Sequence, residues 1–327
     1  MWIDAIERRL FALTGQHHAI MQVGLDVHWQ DKILLFCWRP GERLPALVCR
    51  VSRTPAGSAW LRAEAAGRMR ARAVLDARLR DAVPWVRALH MPFGTVLVEP
   101  WIPGHSPPAP RTLEAVANYG SRTLCLLRGL GRATRVHAPP QPLSRAASRM
   151  LGLAARRMAD PEMRDWVLAR RRESHLLDRV APCVVHGDFW RGNLRESTGV
   201  LRILDWEFMQ GAGNPYFDAA LNLLALCRDL PGADPVAWLE RCFLLETSHS
   251  RLLGRLLDDF GAASREACAL TVVLALIEHA ARDRSTDELH CTLKYRLLAR
   301  MAREADPVGT VRSALWPESP SVSAVPA

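Results

Sequence analysis

Lysine is almost missing from this chain of 327 residues. Of its 43 basic residues, only Lys32 and Lys294 are lysines. Any position at which proteins commonly use lysine must therefore carry arginine here or lack a cation. Arginine presents a planar fork of donors where lysine presents one compact ammonium, so the geometry of such a site changes with the replacement.

Long apolar runs are missing as well. The best candidate, "CALTVVLALI" from Cys268, holds ten residues before Glu278 interrupts it, whereas a membrane-spanning helix needs about 20. We therefore expect a buried core helix there and no membrane association. The N-terminal "MWIDAIERRLFALTG" lacks the basic start, continuous apolar stretch and small-residue cleavage site of a secretory signal. These absences predict a cytoplasmic protein.

The eight cysteines form no C-x-x-C pair and no spacing typical of zinc ligands. They stand singly in mostly apolar surroundings, which predicts reduced thiols in the core. The net charge of +9 comes from arginines spread along the whole chain. Because no basic tract is interleaved with aromatic residues, the sequence does not predict a nucleic-acid partner. No feature predicts an oligomeric state.

Along the chain, strand-like patterning gives way to helical patterning. After an amphipathic N-terminal helix, residues 18–53 read as short strands, followed by a helix and the strand "GTVLVEPW". The proline-dense "IPGHSPPAPR" then marks a boundary. Nearly everything after Arg111 has helical spacing, with one continuous helical stretch over residues 235–260. We predict an α+β fold with a strand-rich lobe at 1–104, a larger helical lobe at 105–305 and a disordered Pro/Ser-rich tail at 306–327.

One polar segment interrupts the helical half. It reads "CVVHGDFWRGNLRESTGVLRILDWE", from Cys183 to Glu207, and predicts a strand, a loop and a hairpin. The hairpin brings Asp205 back beside Asp188 and Asn193, so that hard oxygen ligands for Mg²⁺ converge there. A carboxylate beside such a metal can also accept a proton from an attacking hydroxyl. The alternative is that these residues merely form polar turns, although a carboxylate ending a buried strand needs a partner.

These residues carry a resemblance to a known family. "HGDFWRGN" followed by "ILDWE" resembles the aminoglycoside phosphotransferase and choline kinase-like branch of the protein-kinase fold, which shares its motif spacing with protein kinases. The resemblance implies that Asp188 is the catalytic base and that Asn193 and Asp205 hold the metal. It gives His186 a supporting position in the loop. Asp218 would tie down the loop backbone or, equally, be a plain helix cap or first-turn carboxylate.

The same resemblance assigns residues in the N-terminal lobe. Kinase-like folds hold nucleotide phosphates with a lysine on the third strand, positioned by a glutamate on the next helix. The matching positions here are Arg50, in "PALVCRVSR", and Glu64. Glu64 has a second interpretation, in which it only offsets Arg62 and Arg68 on a solvated face. A glycine-rich loop over the phosphates is missing, since only Gly24 lies in the expected region.

The resemblance implies one further nucleotide contact, and a departure from the family pattern offers another. "LVEPWIPG", with Glu99 and Trp101, is similar to the segment whose backbone meets the adenine. Arg191 stands where many relatives have proline, and it can reach a transferring phosphate, an anionic acceptor or solvent. Trp190 beside it can stack on an acceptor ring or pack in the core.

The resulting interpretation is an ATP- and Mg²⁺-dependent phosphotransferase. Its acceptor is a hydroxyl of a small molecule, such as a sugar, an aminoglycoside-like compound or a biosynthetic intermediate. The basic charge balance favours a neutral or anionic acceptor over a polycationic one. The alternative, motivated by Arg50 and the missing glycines, is a pseudokinase that binds a nucleotide or a partner without turnover. A protein kinase is disfavoured because residues 205–215 are too short for an activation loop.

Overall fold

The computed structural model of this protein describes residues 2–25, 32–136, 141–230, 234–261, 264–282 and 288–318. In chain order, the first half contains α1 (Trp2–Thr14), β1 (Ala19–Leu25), β2 (Lys32–Trp38), β3 (Leu47–Ser52), α2 (Pro55–Val74), α3 (Ala77–Ala82), β4 (Arg87–Met91), β5 (Gly94–Pro100), α4 (Leu113–Ala133) and α5 (Leu143–Ala155). The second half contains α6 (Pro161–Ala169), a 3₁₀ segment (Arg170–Leu177), β6 (Cys183–Val185), a 3₁₀ turn (Arg191–Asn193), β7 (Leu194–Ser197), β8 (Val200–Ile203), β9 (Gln210–Gly213), α7 (Pro215–Arg228), α8 (Pro235–Phe243), α9 (Ser248–Phe260), α10 (Arg265–Arg282), α11 (Glu288–Met301) and α12 (Pro307–Leu315).

These elements form two compact units. The first comprises residues 1–107, 186–188 and 192–211, and the second comprises residues 108–185, 189–191 and 212–327. The polar hairpin β7–β8 thus groups with the strand-rich unit, whereas the sequence assigned it to the helical lobe. Its attachment is direct, because His105 and Glu196 exchange backbone hydrogen bonds of 3.3 and 2.9 Å.

The first unit is built on an antiparallel five-stranded sheet in the order β1–β2–β3–β5–β4. Side chains alternate between the faces of a strand. In β3, Cys49 and Val51 therefore pack with Ile6 and Leu10 of α1 in one core cluster. The intervening Arg50 points to the opposite face. A second small core, with residues of α2, β5 and the segment before β4, lies among Leu61, Ala65, Val86 and Leu97.

The predicted polar hairpin is present. Strands β7 and β8 pair from Leu194↔Ile203 to Ser197↔Val200, leaving a two-residue turn. Thr198 and Gly199 occupy that turn with φ of 50° and 77°. Positive φ at both positions matches the right-handed twist of the flanking strands, which explains why glycine is suitable there.

The second unit is helical, as predicted, with one difference. Helical apolar spacing over residues 235–260 predicted one helix, but the chain forms α8 and α9 with a break between them. The prediction was wrong because Thr247 starts a new helix: its side chain accepts from Ser250 N while the Ser250 hydroxyl accepts from Thr247 N, a capping box. Apolar spacing alone does not reveal such a cap.

The tail prediction was also wrong where the structure describes the tail. Residues 307–315 form α12, capped by the Asp306 side chain, which accepts from Gly309 N at 2.9 Å. Val308, Val311 and Leu315 are buried. The Pro/Ser composition of the whole tail concealed this Asp-Pro helix start and its apolar spacing. Residues 319–327 lie outside the described residues.

Seven of the eight cysteines lie within the described ranges, and all seven are free thiols. Six are buried, as predicted, and Cys125 is exposed, contrary to the prediction. Cys291 lies outside the part whose side chains are described. In the described residues no single helix has the length and apolarity to cross a membrane; only α9 and α10 taken together, with a bend of 113°, meet that criterion.

Candidate active site

The loop after β6 begins with a backbone conformation that favours glycine. Gly187 has φ of 84°, and a Cβ built on it would lie 2.3 Å from the carbonyl oxygen of Phe208. A side chain at this position is excluded both by the left-handed backbone and by that close approach. The glycine of "HGD" therefore lets the loop carrying Asp188 pass directly against the segment after Asp205.

His186 links the loop to the end of strand β8. It is 2% exposed, its Nε2 lies 2.7 Å from the carbonyl oxygen of Leu204, and its Nδ1 lies 3.2 Å from the backbone N of Asp188. A carbonyl only accepts and an amide N–H only donates, so these partners assign a neutral ring protonated at Nε2. Burial lowers the pKa of His186 to about 4, which keeps the ring neutral at physiological pH.

Asn193 is tied to Asp188. Its Nδ2 donates to the backbone oxygen of Asp188 at 2.8 Å and to the carboxylate Oδ2 at 2.9 Å. The backbone carbonyl oxygen of Asn193 accepts from the N–H of Leu204 at 2.8 Å. Asp188, Asn193 and the residue preceding Asp205 are thus joined by hydrogen bonds.

Asp205 follows β8 in a strained backbone conformation. Its φ is 52°, a value that non-glycine residues adopt uncommonly. Its side chain is 44% exposed, and Oδ1 lies 3.3 Å from Nη1 of Arg50. The partner expected for a carboxylate at the end of a buried strand is therefore an arginine. The described contacts of this carboxylate are with Arg50 rather than with Asp188 or Asn193.

Arg50 and Glu64 form the ion pair that the sequence predicted. Nη2 of Arg50 donates to Oε1 of Glu64, whose side chain is fully buried. Nε of Arg50 also lies 3.3 Å from Oε1 of Glu99. The alternative that Glu64 lies on a solvated helix face is therefore wrong.

Arg68 completes this cluster; the sequence reasoning named it only as a partner of Glu64 on a solvated face and missed its burial and its contact with Glu99. The side chain is 0% exposed, and Nη1 lies 3.1 Å from Glu64 Oε1 and 2.7 Å from Glu99 Oε2. Nη2 donates to the carbonyl oxygen of Pro84 at 3.1 Å. The available signal was the spacing of four residues from Glu64, which places both side chains on one face of α2.

The cluster favours the charged forms of Arg50 and Glu99. Burial lowers the pKa of Arg50, but the carboxylates of Glu64, Glu99 and Asp205 outweigh it, so the pKa is raised above its ordinary value. Burial likewise raises the pKa of Glu99, yet the guanidinium groups of Arg50 and Arg68 together bring it below its ordinary value. Buried charges persist in this way only when they are paired.

Helix α2, which carries Glu64, is held against the segment after Asp205. Trp60 Nε1 donates to the carbonyl oxygen of Glu207 at 2.6 Å, and its ring meets that of Phe208 edge-on with centroids 5.8 Å apart. The helix that carries Glu64 and the segment that follows Asp205 are thereby held together. Sequence analysis did not identify Trp60, because a tryptophan on a helix is typical of core packing.

The segment near Glu99 and Trp101 is engaged in the sheet. Glu99 stands opposite Val48 in the β3–β5 pairing, and the N–H of Trp101 donates to the carbonyl oxygen of Ala46 at 3.0 Å. The Trp101 ring packs edge-on against Phe36, with centroids 5.0 Å apart. Sequence reasoning singled out Glu99 for its backbone and missed the ion pairs of its side chain.

Arg191 belongs to a second polar group, in the helical unit. Its Nε donates to Oδ2 of Asp229, and Arg228 lies 3.1 Å from Oδ1 of the same carboxylate. The guanidinium of Arg228 also lies 5.5 Å from the ring centroid of the half-buried Trp190. Arg191 therefore does not simply point to solvent. Asp229, which the sequence reasoning missed, orients it.

Asp218 lies in the first turn of α7 and is 3% exposed. It is not the helix cap, because Asn214 accepts from Tyr216 N at 3.1 Å in that position. Of the alternative for Asp218, the helix-cap interpretation is therefore wrong, whereas the first-turn carboxylate agrees with the structure.

The fold and the motif loop together define a protein-kinase-like phosphotransferase. The model of the phosphotransferase enzyme family matches residues 39–247, which is more than half of the chain. The chain belongs to that family, and it is a small-molecule kinase of the aminoglycoside phosphotransferase type. No curated protein gives a significant match.

Solved structures share the fold at low sequence identity. A candidate fructosamine-3-kinase from Thermobifida fusca is 19% identical, with a TM-score of 0.57 over 91% of this chain and 99% of that one. The GDP complex of wild-type aminoglycoside 2'-phosphotransferase-IIIa is 11% identical, with a TM-score of 0.56 over 91% and 96%. The amicoumacin kinase hAmiN, in complex with AMP-PNP, Ca²⁺ and Ami, is 13% identical, with a TM-score of 0.55 over 91% and 95%.

Proposed function

We propose that this protein transfers the γ-phosphoryl group of ATP to a hydroxyl of a small molecule. The observation that carries the proposal is the hydrogen-bonded chain from Asp188 through His186 to Leu204, beside Asp205 and its partner Arg50. It joins a candidate base, a candidate metal ligand and a phosphate-binding cation in one compact unit. Phosphoryl transfer depends mainly on positioning and electrostatic stabilisation, which such an arrangement supplies.

Asp188 is the proposed catalytic base. Its Oδ2 accepts a hydrogen bond from Asn193 at 2.9 Å, which orients the carboxylate without neutralising it. The carboxylate accepts the proton of the acceptor hydroxyl as that oxygen attacks phosphorus. His186 positions this loop, and both of its ring nitrogens are engaged with backbone groups, so it is not proposed as the base.

Asn193 and Asp205 are the proposed magnesium ligands, and their donor atoms suit that ion. The amide nitrogen of Asn193 is engaged with Asp188, which leaves Oδ1 for a cation. Asp205 is partly exposed and contributes a second hard oxygen. Mg²⁺ is commonly held by one or two protein oxygens together with phosphates and water, so a larger cluster of protein ligands is not required. Bound Mg²⁺ supplies neutralisation of phosphate charge.

Arg50 is the proposed phosphate-binding cation on the nucleotide side. Its guanidinium is the group at the position of the family lysine, and its fork geometry suits phosphate oxygens. The backbone near Glu99 and Trp101 is the proposed contact for the adenine. The structural neighbours in complex with GDP and AMP-PNP support nucleotide use in general. Residues 26–31, where a loop over the phosphates is expected, lie outside the described residues.

The acceptor is proposed to be neutral or anionic. Trp190 and Arg191 follow Asp188 by two and three residues along the chain, and Arg228 lies over Trp190. With Asp229 this group carries one net positive charge, since two arginines face one carboxylate. A partly exposed positive group that follows the proposed base in the chain disfavours polycationic aminoglycosides and suits a sugar or an acid. Arg191 then binds the transferring phosphate or an anionic group of the acceptor.

The experiment that tests the function has two steps. Thermal unfolding is first measured with ATP, with and without Mg²⁺; a nucleotide site of this kind gives metal-dependent stabilisation. ATP consumption is then measured with a panel of neutral, anionic and polycationic hydroxyl compounds. The Asp188→Asn variant should lose about 10²–10⁴-fold in turnover with the preferred acceptor while still binding ATP. Full turnover in that variant would remove Asp188 from the role of base.

The second candidate function is nucleotide binding without turnover. One observation favours it: Oδ1 of Asp205, a proposed metal ligand, lies in an ion pair with Arg50. Metal-dependent ATP binding without phosphorylation of any compound in the panel would support this alternative over the phosphotransferase.

A further inference from the structure

The surroundings of Arg50 differ from a simple ion pair. Three carboxylates face three different nitrogens of its guanidinium: Glu64 at Nη2, Glu99 at Nε and Asp205 at Nη1. The distances to Glu99 and Asp205 are both 3.3 Å. Each guanidinium nitrogen therefore faces a carboxylate, through hydrogen bonds at Nη1 and Nη2 and through an ion contact without hydrogen-bond geometry at Nε.

Glu64 and Glu99 would repel each other if Arg50 were the only cation between them. Arg68 prevents this, because its Nη1 lies 3.1 Å from Glu64 and 2.7 Å from Glu99. Arg68 is 0% exposed, and Glu64 and Glu99 are also largely withdrawn from water. Removing one member of such a buried group leaves an uncompensated charge, so its members depend on one another.

A lysine at position 50 cannot reproduce these contacts. Its ammonium nitrogen lies at the position of the guanidinium carbon, which is about 1.3 Å short of each Nη atom. The distance to Asp205, now 3.3 Å, would then lengthen beyond the range of an ion pair. A single ammonium also cannot contact three separated carboxylates at once. Lysine, the residue typical of kinases at this position, is therefore unfavourable in this chain.

We propose that Glu99 and Arg68 are positioning residues that fix the guanidinium of Arg50, so that this nucleotide site requires arginine rather than lysine. The inference rests on the proposed function, in which Arg50 binds nucleotide phosphates. Glu99 orients Arg50 directly. Arg68 acts one step further away, by keeping Glu64 and Glu99 together as charged partners.

The first measurement is the affinity of the ligand-free protein for a non-hydrolysable ATP analogue with Mg²⁺, by calorimetry. The variants are Arg50→Lys and Glu99→Gln. Losing one charge-assisted contact corresponds to about a tenfold or greater weakening of nucleotide binding. With the preferred acceptor, KM for ATP should rise by a similar factor while kcat falls less.

The second measurement is a double-mutant cycle. Glu99→Gln should weaken nucleotide binding strongly in the wild-type background. In the Arg50→Lys background its effect should be small, because the lysine is not oriented by Glu99. The matched control is Arg62→Lys, on the same helix α2, which bonds Thr95 of the same strand β5 at 3.1 Å. Its effect should add to that of Glu99→Gln. Melting temperatures of the ligand-free variants should show the same non-additivity, which provides a readout independent of activity.

Arg68→Lys extends the test, with the exposed Arg70→Lys on α2 as its control. Arg68→Lys should lower both the melting temperature and the affinity for the nucleotide. If that variant does not fold, the isosteric Glu99→Gln variant still decides the outcome. Wild-type affinity in Arg50→Lys, or additive effects of Arg50→Lys and Glu99→Gln, would overturn the inference while leaving the proposed function intact. Failure of the wild-type protein to bind the nucleotide would overturn the proposed function and this inference with it.

Discussion

Nε2 of His186 lies 2.7 Å from the carbonyl oxygen of Leu204, while Nδ1 of the same ring accepts from the N–H of Asp188. One buried imidazole thus connects the loop that carries the proposed base with the strand end that carries the proposed metal ligand. The connection needs a neutral ring, because a protonated Nδ1 would have no lone pair for the amide of Asp188.

The first prediction concerns the pH dependence of stability. The pKa of His186 falls from an ordinary 6.5 to about 4 in the folded protein, so between these values the unfolded chain binds a proton that the folded protein does not. The contribution of His186 to the free energy of unfolding is therefore fully present above pH 6.5, and it should fall by about 3 kcal/mol as the pH falls to 4. Denaturant unfolding at pH 7 and pH 4.5 measures most of this loss. The loss should be smaller in His186→Asn, and an equal loss in both proteins would contradict the assignment of a neutral ring.

The second prediction isolates the close approach at Gly187. Gly187→Ala should be strongly destabilised, by more than about 1 kcal/mol, because the new Cβ meets the Phe208 carbonyl in addition to the unfavourable positive φ. Gly199→Ala is the matched control, since Gly199 has a similar φ of 77° with nothing within 4 Å of a Cβ. Chemical denaturation compares the two. Equal losses would show that backbone strain alone matters at position 187.

The third prediction concerns Asn193. Asn193→Ala removes two hydrogen bonds to Asp188 and one proposed metal oxygen. Turnover should fall by about 10–100-fold, the effect of losing one charge-assisted contact, and half-maximal activity should require more Mg²⁺. Asn214→Ala, which removes the cap of α7 and a hydrogen bond to the Thr271 hydroxyl, is the control. It should lower stability by about 1–2 kcal/mol and leave the magnesium requirement unchanged.

Sequence patterns predicted those features that depend on neighbours along the chain. The hairpin followed from the turn-forming "STG" between two strand-like runs. The pairing of Arg50 with Glu64 was what the resemblance to kinase-like folds implied. The contacts missed by the sequence reasoning join distant segments: Arg68 with Glu99, Trp60 with Glu207, and Arg191 with Asp229. In each contact the partner is far away along the chain and is determined only by the tertiary packing.

The starts of two helices were also not predicted from the sequence. The break before α9 depends on the capping box of Thr247 and Ser250, and α12 depends on the Asp306 cap. Each boundary depends on polar capping side chains, which the apolar periodicity of the surrounding residues does not reveal.

Asp205 is proposed to hold a metal ion together with the nucleotide phosphates. Thermal unfolding of the wild-type protein and of Asp205→Asn with ATP, with and without Mg²⁺, tests this role most directly. ATP at about 100 times its dissociation constant should stabilise the wild-type protein by about 2.7 kcal/mol with Mg²⁺ present. Without Mg²⁺, or in Asp205→Asn, that stabilisation should largely disappear. Equal stabilisation by ATP in all four conditions would contradict the account.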